Sequence, residues 1–220
     1  MTVEQLPLAI SIPGEPTLGN YVPGSNAEVL ARLRDAAEGR AADAVIYLWG
    51  EPGCGRTHLL RAAAGAAADG MYVASDGAHA QAQARLIAAD DVERLDDARQ
   101  VGLFNLINRA REAGGTVVAA GCAPPAQLAL REDLKSRLGW GLVYQLRPLS
   151  DAEKALHLRA EAQRRGLRLS DEVVWYLLSR LPRDLPSLNA VLERLDQFSL
   201  ARRRHITLPL VREALERNQR

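Results

Sequence analysis

The chain has 220 residues and a mass of 24.0 kDa, enough for one large domain or two small ones. With 47% hydrophobic and 25% charged residues it reads as an ordinary globular protein, and a formal net charge of +1 excludes a global nucleic-acid-binding signature. No stretch approaches the ~20 apolar residues needed to cross a bilayer, no basic-then-apolar signal pattern opens the chain, and Cys54 and Cys122 fit reduced thiols in the cytoplasm.

Near the start, QLPLAI (5–10) places alternating apolar residues behind a glutamine. Pro7 argues against a central strand and for an extended peptide, in which Leu8 and Ile10 would enter a partner's pocket. An edge strand is the plainer alternative.

AVIYLW (44–49) has the look of a buried strand, and GEPGCGRT (50–57) follows it. Gly50, Gly55 and Thr57 fill their places in the phosphate-loop pattern G-x-x-x-x-G-K-[ST], but Arg56 stands where lysine is usual. Glycines let backbone N–H groups close around phosphate oxygens, Thr57 offers a hydroxyl to Mg²⁺, and the helix after it presents its positive end. Arginine is a planar fork on a longer stem, so its charge sits differently over a terminal phosphate. A loop of this kind holds a nucleotide without being optimised to turn it over. Only Lys135 and Lys154 are lysines among 28 basic residues, so general arginine usage also accounts for Arg56. Cys54, inside the loop, is either a thiol acidified by the helix end or a small filler.

The helix after the loop is expected over 57–70, closed by Gly70, and strands follow at MYVAS (71–75) and RLIAADD (85–91). The latter ends in two carboxylates. Behind a phosphate loop, Asp90 suits Mg²⁺ held through water and Asp91 the orientation of an attacking water; a turn rich in aspartate is the bland alternative. A helix over 97–115 places Val101, Phe104, Leu106, Ile107 and Ala110 on one face. TVVAAG (116–121) is the next strand. DLKSRL (133–138) precedes the last one, LVYQLR (142–147), and carries Arg137. Strands alternating with helices predict an α/β fold with a mainly parallel sheet of about five strands. Ligands on such sheets bind at the carboxyl ends, where the loop and Asp90 both fall.

The pattern changes near 147–150. Ser150 and Glu153 make a capping box for a helix over 150–166; further helices start at Ser170, span about 186–200, and follow Pro209 with Val211 and Leu215 on one face. Ile206-Thr207 carries a weak strand signal. The C-terminal third is expected to be a small helical bundle. Four scattered histidines and two cysteines make no metal-ligand cluster.

A phosphate loop, a strand-terminal Asp-Asp, an SRL arginine and a helical lid together resemble the AAA+ ATPases. YVPGSNAE (21–28) is similar to the segment with which the replication initiator DnaA opens its ATPase domain and contacts adenine. GRTHLLRAA, FNLINRARE, DLKSRLGWGLVYQLRPLSD and the lid resemble the Hda-like regulators of DnaA, and QLPLAI matches the QLxLxL clamp motif with which those begin. The resemblance covers almost the whole chain. It implies a clamp-binding peptide over 1–12, an AAA+ base over 13–148 with helices on both faces of a parallel sheet, and an all-helical lid over 149–220.

It implies ADP (or ATP) and Mg²⁺ as ligands, held by Tyr21, Val22, Gly50, Gly53, Cys54, Gly55, Arg56, Thr57, His58 and Arg183, with Thr57 and Asp90 on the metal. Arg137 would act in trans on a neighbour's γ-phosphate beside Asp91, and Gln5, Leu6, Leu8 and Ile10 would hold the clamp. The implied partners are DnaA and the beta-subunit sliding clamp, with DNA reached indirectly, no membrane, and homo-oligomer formation left open. Two departures stand out. Ala120 and Gly121 replace a polar γ-phosphate sensor, and Pro186 falls where a second sensor arginine would align, one helical turn from Arg183. These losses favour a nucleotide-binding regulator that activates a partner's ATPase. An autonomous motor or loader ATPase, and a degenerate scaffold, are the competing readings.

Overall fold

The computed structural model describes residues 15–77, 83–181, 185–202 and 206–216. They fall into two compact units, one over Glu15–Leu149 and one from Ser150 onward. In the first, a 3-10 turn at Gly24–Asn26 leads into α1 (Ala27–Ala37), β1 (Val45–Trp49), α2 (Arg56–Ala66), β2 (Gly70–Val73) and β3 (Leu86–Ala89). Then come α3 (Asp97–Glu112), β4 (Thr116–Gly121), α4 (Glu132–Leu138) and β5 (Leu142–Gln145). All pairings are parallel, in the order β2-β3-β4-β1-β5.

Parallel neighbours need crossovers, and the crossover helices cover both faces of the sheet. Strand residues alternate between those faces. Ile46, Leu48, Ala88 and Val118 pack with Leu33, Leu59 and Leu60 of α1 and α2. Tyr47, Ile87, Val117 and Ala119 pack with Leu103, Leu106, Ile107 and Leu134 of α3 and α4. Strands two-sidedly buried explain why the sequence shows continuous apolar runs here rather than alternation.

Two local expectations need correction. The helix expected over 57–70 stops at Ala66, and Gly70 opens β2 instead of closing the helix. A Cβ on Gly70 would lie 2.1 Å from the Ala64 carbonyl oxygen, so only glycine lets the strand start this close beneath the helix end. Gly70→Ala is therefore expected to cost the base about 2–3 kcal/mol, seen as a lower urea midpoint at unchanged slope. A midpoint equal to the parent's would show that this approach is not a constraint. On α3, Val101 is exposed and Leu103 takes the inward place. The buried residues 103, 106, 107 and 110 follow the i, i+3, i+4, i+7 spacing of one helical face, which position 101 does not join.

The second unit holds α5 (Asp151–Arg164), α6 (Asp171–Arg180), α7 (Leu185–Arg202) and α8 (Leu208–Glu216). The capping box forms as read: Glu153 N–H donates to Ser150 Oγ at 3.2 Å and Ser150 N–H to Glu153 Oε2 at 2.7 Å. Ser170 caps α6 by accepting from the Val173 N–H. Pro186 sits in the first turn of α7, where a missing N–H costs little. Leu158, Val174, Leu178, Leu188 and Leu192 form one core cluster, and Val173, Leu177, Leu195, Leu210 and Val211 a second. Ile206 joins the second cluster without strand pairing. Among the described residues, no helix is long and apolar enough to cross a membrane.

Candidate functional site

Three features converge on the carboxyl ends of β1, β3 and β4: the loop 50–55, the Asp90-Asp91 pair and the end of β4 at Gly121. Gly53 and Gly55 adopt φ of 82° and 99°, the left-handed region that glycine enters without strain. Gly50 is required sterically, because its Cβ would stand 2.6 Å from the Leu146 carbonyl oxygen and 2.9 Å from Cys54 Sγ. The N-terminus of α2 begins at Arg56 with no side-chain cap, so its first N–H groups have no intrahelical acceptor. Thr57 is exposed in that first turn. Such an end suits an anion. Cys54 is buried, and burial pushes its thiol pKa up, so it is the small filler and not an acidified thiol.

The segment 21–28 is latched onto this loop. A Cβ on Gly55 would lie 2.8 Å from the Tyr21 ring, so the ring lies directly against the glycine. The Tyr21 hydroxyl sits 3.5 Å from the Cys54 carbonyl oxygen, and desolvation pushes its pKa up to about 12. Half-buried Val22 follows. His58 Nε2 lies 3.1 Å from the Thr17 carbonyl oxygen, and its ring is 5.6 Å from that of Tyr21. Buried Asn26, within the YVPGSNAE segment, donates to the Arg147 carbonyl at 2.8 Å and accepts from the Arg147 N–H at 2.9 Å. That two-way bond fixes the segment to the end of β5.

Asp90 is buried and directly follows β3. It accepts from the Tyr72 hydroxyl at 2.9 Å and from the Asp91 N–H at 3.0 Å. Tyr72, which the sequence marks only as part of the MYVAS strand, is thus what orients this carboxylate. Asp91 adopts φ 48°, a left-handed conformation that aspartate tolerates better than most residues. Its carboxyl pKa is raised, first by desolvation and then by the charges of Asp90 and Glu93. Arg56 does not reach over open solvent. Its Nη2 is 3.8 Å from Asp91 Oδ1 and its Nη1 is 3.9 Å from Glu93 Oε1, and its side chain is only 13% exposed.

These residues fit the phosphates of a nucleotide better than an all-protein metal cage. Among the described residues no three His, Cys, Asp or Glu side chains gather to hold a metal ion. Mg²⁺ prefers one or two carboxylates plus phosphate oxygens and water, so Thr57 and Asp90 are fitting contacts only alongside a bound phosphate.

Arg137 lies elsewhere. It is in α4, just before the amino end of β5, while the loop follows the carboxyl end of the neighbouring β1. The four residues of β5 alone span about 13 Å, so Arg137 and the loop sit at opposite ends of the sheet. Its Nε donates to Asn108 Oδ1 at 2.8 Å, and its guanidinium stacks 3.6 Å from the Trp140 ring and 5.3 Å from that of Phe104. Arg111 approaches the Trp140 ring at 5.2 Å. Among the described residues no carboxylate pairs with Arg137. A pocket of about 560 Å³ opens here, lined by Asp43, Asn108, Arg111, Arg137 and Trp140. Asn108 and Trp140 stood in the quoted FNLINRARE and SRLGW segments, but no spacing rule on the sequence joins them. Gln5, Leu6, Leu8, Ile10 and Arg183 lie outside the described residues.

The family model described as Hda, lid domain, matches residues 151–215. Over those residues the C-terminal unit is similar to the lid domain of Hda. Several solved structures are similar over most of the chain. Domain III of the replication initiation protein DnaA from Thermotoga maritima is similar at 20% identity and a TM-score of 0.72, over 92% of this chain and 96% of that one. AMPPCP-bound DnaA from Aquifex aeolicus is similar at 22% identity and a TM-score of 0.73, over 94% and 69%. A DnaA bound to AMPPCP and single-stranded DNA matches at 21% identity and a TM-score of 0.70, over 82% of this chain and 64% of that one. The chain thus spans under two thirds of that DnaA. At these identities the likeness is one of fold alone: the chain shares the fold of these DnaA structures, and residues 151–215 match the Hda lid model.

Proposed function

We propose that this chain is an ADP-binding AAA+ regulator of chromosome replication initiation. It docks on the DNA-loaded sliding clamp through residues 5–10 and stimulates ATP hydrolysis by DnaA, which prevents re-initiation. Its place of action is the cytoplasm. The observation that carries the reading is Arg137: a guanidinium held by neutral groups, with no carboxylate partner among the described residues, at the end of the sheet remote from the chain's own loop. A surface arginine without such a mount is usually a solvated charge worth little. A mounted and uncompensated one is suited to meet an anion brought by another molecule, and a γ-phosphate is the anion that arginines in trans act on.

The chain's own site supports holding a nucleotide more than cleaving it. The backbone cradle is intact, Arg56 is engaged by Asp91 and Glu93, and β4 ends in Ala120 and Gly121. A bound nucleotide would supply phosphate oxygens for Mg²⁺; Thr57 and Asp90 are the residues that would hold that ion, and Tyr21 lies against the loop. Asp90 and Asp91 favour the competing reading, an autonomous ATPase, because an acidic strand end behind a phosphate loop is what hydrolysis requires. Calorimetry with ADP and ATP, together with phosphate release by the isolated protein, separates the two. Tighter ADP binding with negligible turnover is expected. Vigorous hydrolysis by the protein alone would move the assignment to the autonomous ATPase.

A further inference from the structure

Glu93 follows the acidic strand end by two residues, in a 3-10 turn over Val92–Arg94, and takes no part in the metal-holding and water-orienting roles of Asp90 and Asp91. Its side chain is 21% exposed, yet its Oε2 is buried with no hydrogen-bond partner among the described residues. Nη1 of Arg56 is in the same condition. The carboxylate stands where a side chain at the end of β4 would be: a Cβ on Gly121 would lie 3.2 Å from Glu93 Oε2 and 2.2 Å from the Tyr47 hydroxyl. Gly121 pairs with Trp49, the residue directly before the phosphate loop. Burial and then the charge of Glu93 raise the pKa of both the Tyr47 hydroxyl and the Cys122 thiol, as a local negative field does.

We infer that Glu93 makes the loop selective for a nucleoside diphosphate over a triphosphate. The inference rests on the reading that residues 50–57 hold a nucleotide. In a phosphate loop the cation at position 56 serves the outer phosphates, while backbone N–H groups cradle the inner ones. Here that cation already faces two carboxylates at 3.8 Å and 3.9 Å. A diphosphate is served by the cradle. A third phosphate brings further negative charge toward Arg56, where Asp91 and Glu93 repel it, and Gly121 offers no neutral donor to compensate.

The test is the ratio of ATP-analogue to ADP dissociation constants for the nucleotide-stripped full chain, with an analogue that cannot be cleaved, measured by calorimetry. In the parent, ADP should bind more tightly. Glu93→Gln keeps the shape and removes the charge, so the ratio should move about tenfold toward the triphosphate. Glu93→Asp keeps the charge and should keep the preference. A purely structural role would weaken both nucleotides alike and leave the ratio unmoved, which overturns the inference. A ratio shifted equally by Gln and Asp overturns it too, because sterics and not charge would then be at work. If the parent binds neither nucleotide, the nucleotide-holding reading itself fails; if it binds ADP and only the ratio is insensitive to Glu93, that reading stands alone.

Discussion

Arg137→Ala should abolish stimulated conversion of DnaA-bound ATP while leaving the protein folded and able to bind ADP. The guanidinium is mounted by Asn108 Oδ1 at 2.8 Å and by the Trp140 ring at 3.6 Å, and neither neutralises it. An arginine completing another molecule's γ-phosphate site typically changes the rate by about 10³–10⁵, far beyond the ~1 kcal/mol of a surface ion pair. Structural loss should be small, since the side chain is half-buried and gives up one hydrogen bond and two ring contacts. Arg137→Lys should rescue poorly, because an ammonium cannot reproduce the planar fork or its stacking. The readout is conversion of DnaA-bound ATP to ADP with clamp-loaded DNA present. If Arg137→Ala stimulates as well as the parent, the in-trans mechanism is wrong for this protein.

The second large effect is expected at residues 5–10, which lie outside the described residues and stand on sequence alone. Gln5 would fix an extended peptide by hydrogen bonds, and Leu8 and Ile10 would supply apolar anchors. Each fully buried aliphatic contributes about 1.5–3 kcal/mol, so replacing both with alanine should weaken clamp binding at least about tenfold. Surface plasmon resonance on immobilised clamp reads this directly. Affinity unchanged from the parent would remove the clamp from the account, while ADP binding by the base would be untouched.

The fold was largely legible because its signals are local. A two-sidedly buried strand reads as an unbroken apolar run, as VIYLW and TVVAAG do, and the capping box at Ser150 and Glu153 lies within four residues of chain. The lid's helices came through for the same reason. Gly70 misled because glycine both ends helices and starts strands under close packing; only the 2.1 Å approach of Ala64 distinguishes them. Val101 misled because a helical face is set by three-dimensional register, and one apolar residue off the stripe does not announce itself.

At the candidate site, the loop glycines and Asp90 were readable by motif. Their supports were not. Tyr72 meets Asp90 across 18 residues and Asn108 meets Arg137 across 29, and such pairs exist only once the sheet is assembled. Glu93 was hidden differently. Two residues beyond an Asp-Asp pair it looks like one more turn carboxylate, and its meaning comes from facing Arg56 beside a glycine that leaves no room for a side chain.

The central claim is that this chain's nucleotide is held and the partner's is cleaved. A single-turnover experiment with separately labelled nucleotides tests it most directly. DnaA is loaded with radiolabelled ATP, this protein with unlabelled ADP, and the two are mixed with clamp-loaded DNA. The account predicts that label on DnaA converts to ADP only when this protein and the loaded clamp are both present, and that the protein loaded instead with labelled ATP and kept alone releases negligible phosphate. Rapid phosphate release by the protein alone, with no acceleration of DnaA-bound ATP on mixing, would contradict it.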